Sequence, residues 1–144
     1  MRRATPTEHQ EQVAFVQWCR TSSLHPGLRY VFAIPNGAKR SFALANYLRA
    51  EGVLSGIPDL FIPVVTPRSS GLFIEMKVAT GGKLSPAQKE CLAALTKLGY
   101  TCVIAPGCDF AIKSTTQYIQ SIDEQAKSTQ SRSPDNRRNP DGKP

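Results

Sequence analysis

The chain has 144 residues with 40% hydrophobic content, the size of one domain around a single modest core. No stretch approaches the roughly 18 consecutive apolar residues of a membrane span, and Met1-Arg2-Arg3 leads into Ala4-Thr5-Pro6-Thr7-Glu8 rather than a signal-peptide apolar region, so the expected location is the cytoplasm, with no membrane partner. The formal net charge of +7 favours a polyanionic partner without choosing between DNA, RNA and plain solubility.

The first element is announced by Thr7-Glu8-His9-Gln10, which fits a capping box with Thr7 as N-cap and Gln10 reaching back. Val13, Phe15, Val16, Trp18 and Cys19 follow, so a helix is expected from about Glu8 to Arg20. Arg29 to Ile34 has the β-branched and aromatic content of a strand, stopped by Pro35-Asn36-Gly37. A second helix fits Lys39 to Glu51, with Gly52 as its C′ residue. Two apolar runs, Asp59 to Val65 and Leu72 to Ala79, flank Thr66-Pro67-Arg68-Ser69-Ser70-Gly71 and read as a hairpin. Ser85-Pro86-Ala87-Gln88 is a second capping box with Pro at N1, and Cys91, Leu92, Leu95 and Leu98 carry its helical stripe to Gly99. Tyr100 to Ala105 reads as a strand and Asp109 to about Ile122 as a last helix. The order α-β-α-β-β-α-β-α implies an α/β fold, a mixed central sheet flanked by helices.

From Ala126 onward no large apolar residue occurs, so residues 1–125 are expected to form the domain and residues 126–144 a disordered basic tail. The tail carries five Lys/Arg against two Asp/Glu, so +3 of the +7 resides there and the domain is only mildly basic. Cys19, Cys91, Cys102 and Cys108 form no C-x-x-C pair and sit in apolar segments, which favours reduced thiols over disulfides or zinc. His9 and His25 are too few and too separated for a metal cluster.

The chemistry-bearing residues cluster in the hairpin. Asp59 and Glu75 are equally distant in sequence from Pro67, so a symmetric hairpin brings them together. Side chains alternate along a strand, which puts Glu75 and Lys77 on one face and Ile74 and Met76 on the other. Two adjacent carboxylates repel, and burying them is costly unless a cation joins them. A divalent ion that takes oxygen ligands resolves the conflict and leaves positions for water and a phosphate. A lysine there can orient or help deprotonate that water. On spacing alone, Lys77 simply pairing with Glu75 on a solvated strand face is an equal reading.

Gly56-Ile57-Pro58-Asp59-Leu60, then Phe73-Ile74-Glu75-Met76-Lys77, then Lys83-Leu84-Ser85-Pro86-Ala87-Gln88 together resemble the VRR-NUC branch of the PD-(D/E)xK, restriction-endonuclease-like superfamily, over roughly residues 7 to 122. The resemblance implies Asp59, Glu75, the Met76 carbonyl and a first-helix Glu as metal ligands, with Lys77 as catalytic lysine. The E-x-x-x-Q spacing selects Glu8 with Gln12, and Glu11 is the alternate. Gln88 is either a capping residue or part of the catalytic site, and Asn36 is either a turn residue or a contact near the scissile phosphate. Lys39, Arg40 and Lys83 are candidate substrate contacts, each also readable as a solvated charge.

By the same resemblance the expected activity is Mg²⁺-dependent endonucleolytic cleavage of DNA phosphodiesters, with Mn²⁺ able to substitute. Branched DNA such as Holliday junctions or flaps is the expected substrate, in replication, recombination or repair, as in stand-alone phage-type members. A homodimer is the expected active form, with Phe42, Leu44, Tyr47 and Leu48 of the second helix either at its interface or in the core. The rival readings are a catalytically silent DNA-binding subunit, which an intact Asp59, Glu75 and Lys77 set argues against, and an RNA nuclease.

Overall fold

The computed structural model describes residues 5–35 and 41–130, with side chains described to residue 122. Helix α1 spans Glu8–Thr21, and its capping box forms in both directions: the Gln10 N–H donates to Thr7 Oγ1 at 3.2 Å and the Thr7 N–H to Gln10 Oε1 at 2.9 Å. The chain then departs from the expected strand at 29–34. His25 caps a 3-10 helix over Pro26–Tyr30, its Nδ1 accepting from the Gly27 N–H at 3.0 Å, and the turn consumes Arg29 and Tyr30. Only Phe32–Ala33 remains to pair as β1, because proline at the first helical position pre-sets the turn more strongly than β propensity extends the strand.

Helix α2 spans Phe42–Ala50 with Ser41 as N-cap, a later start than Lys39. Ser is the stronger cap, and its Oγ accepts from the Leu44 N–H at 3.3 Å. The C-terminal end is as expected, with Gly52 at φ 101° directly after the Glu51 cap. Asn36, Lys39 and Arg40 lie outside the described residues.

The hairpin pairs β2 (Leu60–Ile62) antiparallel with β3 (Leu72–Lys77), and β3 runs parallel to β4 (Thr101–Pro106). The four-stranded mixed sheet has the order β1-β2-β3-β4, with β1 antiparallel to β2. Helix α3 covers Pro86–Lys97 between β3 and β4, and α4 covers Cys108–Gln130. The element order is therefore α-β-α-β-β-α-β-α, with the 3-10 helix inserted before β1. Helix α4 continues past the expected end near Ile122, through the first five residues assigned to the tail. Ala126, Lys127 and Gln130 are adequate helix formers, so an already nucleated helix propagates through them.

Strand alternation divides the core. Leu60, Ile62, Leu72, Ile74 and Met76, each fully buried, face Phe15 and Cys19 of α1 and Ala111, Tyr118 and Ile119 of α4. Burying each large apolar side chain contributes about 1.5–3 kcal/mol, so this layer dominates stability. The Tyr118 hydroxyl donates to the Val64 carbonyl at 2.5 Å and ties α4 to the segment after β2. Helix α3 covers the other face, beside Cys102 and Ile104 of β4. All four cysteines are free thiols. No helix among the described residues is long and apolar enough to cross a membrane.

Candidate metal and phosphodiester site

The hairpin register is Leu60↔Ile74, Phe61↔Phe73 and Ile62↔Leu72. Continued by one step, it sets Asp59 opposite Glu75. Two backbone contacts fix Asp59 there: its carbonyl accepts from the Ile34 N–H at 2.8 Å, and its Oδ2 accepts from the Met76 N–H at 2.8 Å. The Asp59 carboxylate thus replaces a ladder partner at the point where β2 begins, gripping the strand that carries Glu75.

Glu75 is 2% exposed and Lys77 8% exposed, so these two side chains are buried rather than solvated. The Lys77 ammonium donates to Glu75 Oε1 at 2.6 Å, and Gln88 Nε2 donates to the same oxygen. Glu75 Oε2 is buried with no hydrogen-bond partner among the described residues. Burial pushes the Glu75 carboxyl pKa up; the Lys77 hydrogen bond and charge oppose this, and the negative charges of Asp59 and Glu8 add to it. A carboxylate with one oxygen doubly served and the other sealed and unserved is an expensive arrangement for protein donors alone.

That orphaned oxygen fits a hard divalent cation, which takes carboxylate oxygens and keeps several positions for water and phosphate. Among the described residues no three His, Cys, Asp or Glu side chains are already gathered into a cage. The donor set is instead two facing carboxylates with Glu8 in electrostatic reach. For magnesium, one or two protein carboxylates is the usual number.

Gln88 fills both of its alternative positions at once. Its Oε1 accepts from the Ser85 N–H at 2.9 Å and completes the α3 capping box, while its Nε2 reaches Glu75. The two first-helix acids separate equally clearly. Glu11 Oε2 accepts from the Cys108 N–H at 2.7 Å, at the positive end of α4, and so serves as a cap across helices. Glu8 is exposed, and its charge is felt at Glu75. Lys83 is exposed in the loop after β3 and has no ion-pair partner among the described residues.

Two glycines shape the site. Gly56 has φ 82°, and a Cβ there would come within 2.4 Å of the Ala87 carbonyl carbon and oxygen and 2.8 Å of the Gln88 nitrogen. Only glycine lets the Asp59 loop press this closely on the first turn of α3. A Cβ on Gly82 would meet Lys77 Cδ at 3.1 Å, so the Gly81-Gly82 loop lies against the lysine stem. Neither role is announced by local pattern, although Gly56, three residues before Asp59, is a visible signal in the sequence.

The mixed sheet flanked by helices, with two facing acids and a lysine on its central hairpin, defines a restriction-endonuclease-like α/β protein. The sequence profile of the VRR-NUC domain matches residues 2–109, so the chain belongs to the VRR-NUC family of nuclease domains. A solved structure described as a "VRR_NUC domain protein" is similar at TM-score 0.69 and 30% sequence identity, over 82% of this chain and 92% of that one. No curated protein matches the chain by sequence.

Proposed function

We propose that this VRR-NUC protein is a Mg²⁺-dependent endonuclease that hydrolyses DNA phosphodiester bonds, with branched DNA as its preferred substrate. The observation that carries the reading is Glu75: buried, facing Asp59, fixed through Oε1 by Lys77 and Gln88, and left with Oε2 unserved. Asp59 and Glu75 would hold the cation, with Glu8 and the Met76 carbonyl as further ligands and Mn²⁺ able to substitute. When bound, the cation supplies Lewis-acid polarisation of the phosphate and a water of lowered pKa.

The chain's own residues do the rest. Lys77 Nζ orients the attacking water, assists its deprotonation and offsets charge growing on the phosphate oxygens. Gln88 fixes Glu75 through Oε1, so the carboxylate enters the reaction already oriented. The Met76 N–H does the same for Asp59. Asn36, Lys39, Arg40 and Lys83 are the proposed contacts to the nucleic-acid backbone, positioning without reading sequence.

The active form in this reading is a homodimer, which presents two sites to two strands of a junction. No residue of α2 is buried, and Phe42 and Tyr47 are 80% and 63% exposed, which supports this helix as the contact surface rather than as core.

Incubating the full chain with labelled junction, flap, nicked and linear DNA, with and without Mg²⁺, tests the proposal. Mg²⁺-dependent cleavage is expected in the wild type, fastest on branched DNA, and its abolition in Asp59→Asn and Glu75→Gln while DNA binding persists. Lys77→Ala is expected to lose far more rate than affinity. Near-wild-type cleavage by either acid variant overturns the site, and equal rates on linear and branched DNA overturn the substrate preference.

A further inference from the structure

An aromatic row crosses the sheet beside the reaction centre. Phe32 pairs with Phe61 and Phe61 with Phe73, so the three rings share the face of Glu75 and Lys77. Their centroids lie 5.6 Å and 4.5 Å apart, and Tyr100 closes the row 5.2 Å beyond Phe73. The row is closed at one end and open at the other: Phe73 is 9% exposed, Phe32 51%. Phe32 is thus a half-bare ring, braced edge-on by Phe61, on the outermost strand.

Resting on the nuclease reading above, we propose that Phe32 is the stacking platform for an unpaired nucleobase of DNA held at the Asp59–Glu75 site. Two strand spacings and two residues along β3 separate Phe32 from Glu75, a diagonal of about 12 Å between Cα atoms. A nucleotide neighbouring the cut phosphate spans that distance. Every base has a π-face, so one aromatic platform accepts any sequence. The base must be splayed out, because a continuous duplex keeps its π-faces stacked inside. The site therefore recognises DNA with unpaired nucleotides next to the cut.

A second copy of the chain is the competing occupant. Strand β1 is two residues long and offers almost no ladder for edge-to-edge pairing, and a single braced ring is a small anchor for a protein surface. Bracing also removes most of the ordering cost that a flexible aromatic would carry on binding.

The experiment uses the full chain and its Phe32→Tyr, Phe32→Leu and Phe32→Ala variants. Folding is checked by thermal melts and assembly by light scattering. Binding is read with 2-aminopurine placed in a single-stranded gap and, separately, inside a blunt duplex, in EDTA so that no cleavage occurs. Wild type and Phe32→Tyr are expected to quench the gap fluorophore. Phe32→Leu and Phe32→Ala are expected to lose the quenching and to bind gapped DNA on the order of ten-fold more weakly, with blunt-duplex affinity unchanged. Unchanged quenching in Phe32→Leu, an equal loss on both DNAs, or a change of assembly state that marks the ring as a contact between copies would each overturn the proposal. If the wild type cleaves DNA with Mg²⁺ while Phe32→Leu behaves identically, only the platform fails; if the wild type neither binds nor cleaves any DNA, the nuclease reading fails with it.

Discussion

Substituting Gly56 by alanine tests whether the contact between the Asp59 loop and α3 supports the site. Two costs add. Left-handed backbone at φ 82° costs a side-chain-bearing residue roughly 1–2 kcal/mol. The new Cβ would also sit 2.4 Å from the Ala87 carbonyl, which is backbone of a capped helix and cannot rotate away; such overpacking costs typically 1–3 kcal/mol. The expected loss is about 2–5 kcal/mol from a total of order 5–15, which lowers the urea midpoint by about 1–3 M. Gly52→Ala is the matched control: Gly52 has φ 101° but nothing within 4 Å of a built Cβ, so it carries the backbone cost alone. Because relief requires the first turn of α3 to move, Gln88 shifts off Glu75, and cleavage should fall on the order of ten-fold or more where the variant is still folded. A Gly56→Ala midpoint equal to that of Gly52→Ala, with cleavage intact, would refute the reasoning.

The division of labour between the first-helix acids predicts opposite phenotypes. Glu8→Gln should cut cleavage with little change in stability, whereas Glu11→Gln should keep cleavage and lower stability by about 0.3–1 kcal/mol by removing charge at the α4 N-terminus; denaturant melts beside cleavage rates decide, and reversed phenotypes move the site acid to Glu11. Ser85→Ala should lose about 0.5–2 kcal/mol of stability with near-normal cleavage, while Gln88→Ala should lose cleavage as well; matching activity losses would reduce Gln88 to a cap. Burial, reinforced by Cys108, pushes the Cys19 thiol up to about 12 from 9.0. A folded-state value above the unfolded one means this contribution is full below pH 9 and is lost as pH rises towards 12, by about 1.4 kcal/mol per unit. Urea midpoints at pH 8 and 10 should show that fall in the wild type and a shallower one in Cys19→Ala; equal slopes would show that Cys19 is not its source.

What the sequence disclosed was governed by local rules. Both capping boxes locate the starts of their helices to the residue, because Thr7 with Gln10 and Ser85 with Gln88 satisfy each other without help from the rest of the chain. The facing of Asp59 and Glu75 was legible because hairpin symmetry about Pro67 sets the observed register. The strand expected at 29–34 shrinks to Phe32–Ala33 because Pro26 and the His25 cap decide that segment before its aromatic content can act. The double use of Gln88, the cap Glu11 gives α4 and the pressure of Gly56 on Ala87 are all long-range: each needs an element from elsewhere in the chain, which no local pattern announces.

The hairpin register also couples folding fidelity to chemical competence. Alternation has a period of two, so sliding β2 past β3 by one residue would turn Asp59 away from Glu75 and drive Leu60 and Ile62 out of the layer beneath α1 and α4. Such a slip could not survive as a stable but inactive protein, since the same residue pairing secures the core and assembles the acids. The 66–71 connection is therefore constrained in length even though Pro67 and Arg68 are exposed and free in composition. Descendants of this chain can rewrite those two positions, but a single-residue insertion that propagates into the strands is removed by misfolding before loss of activity is ever tested.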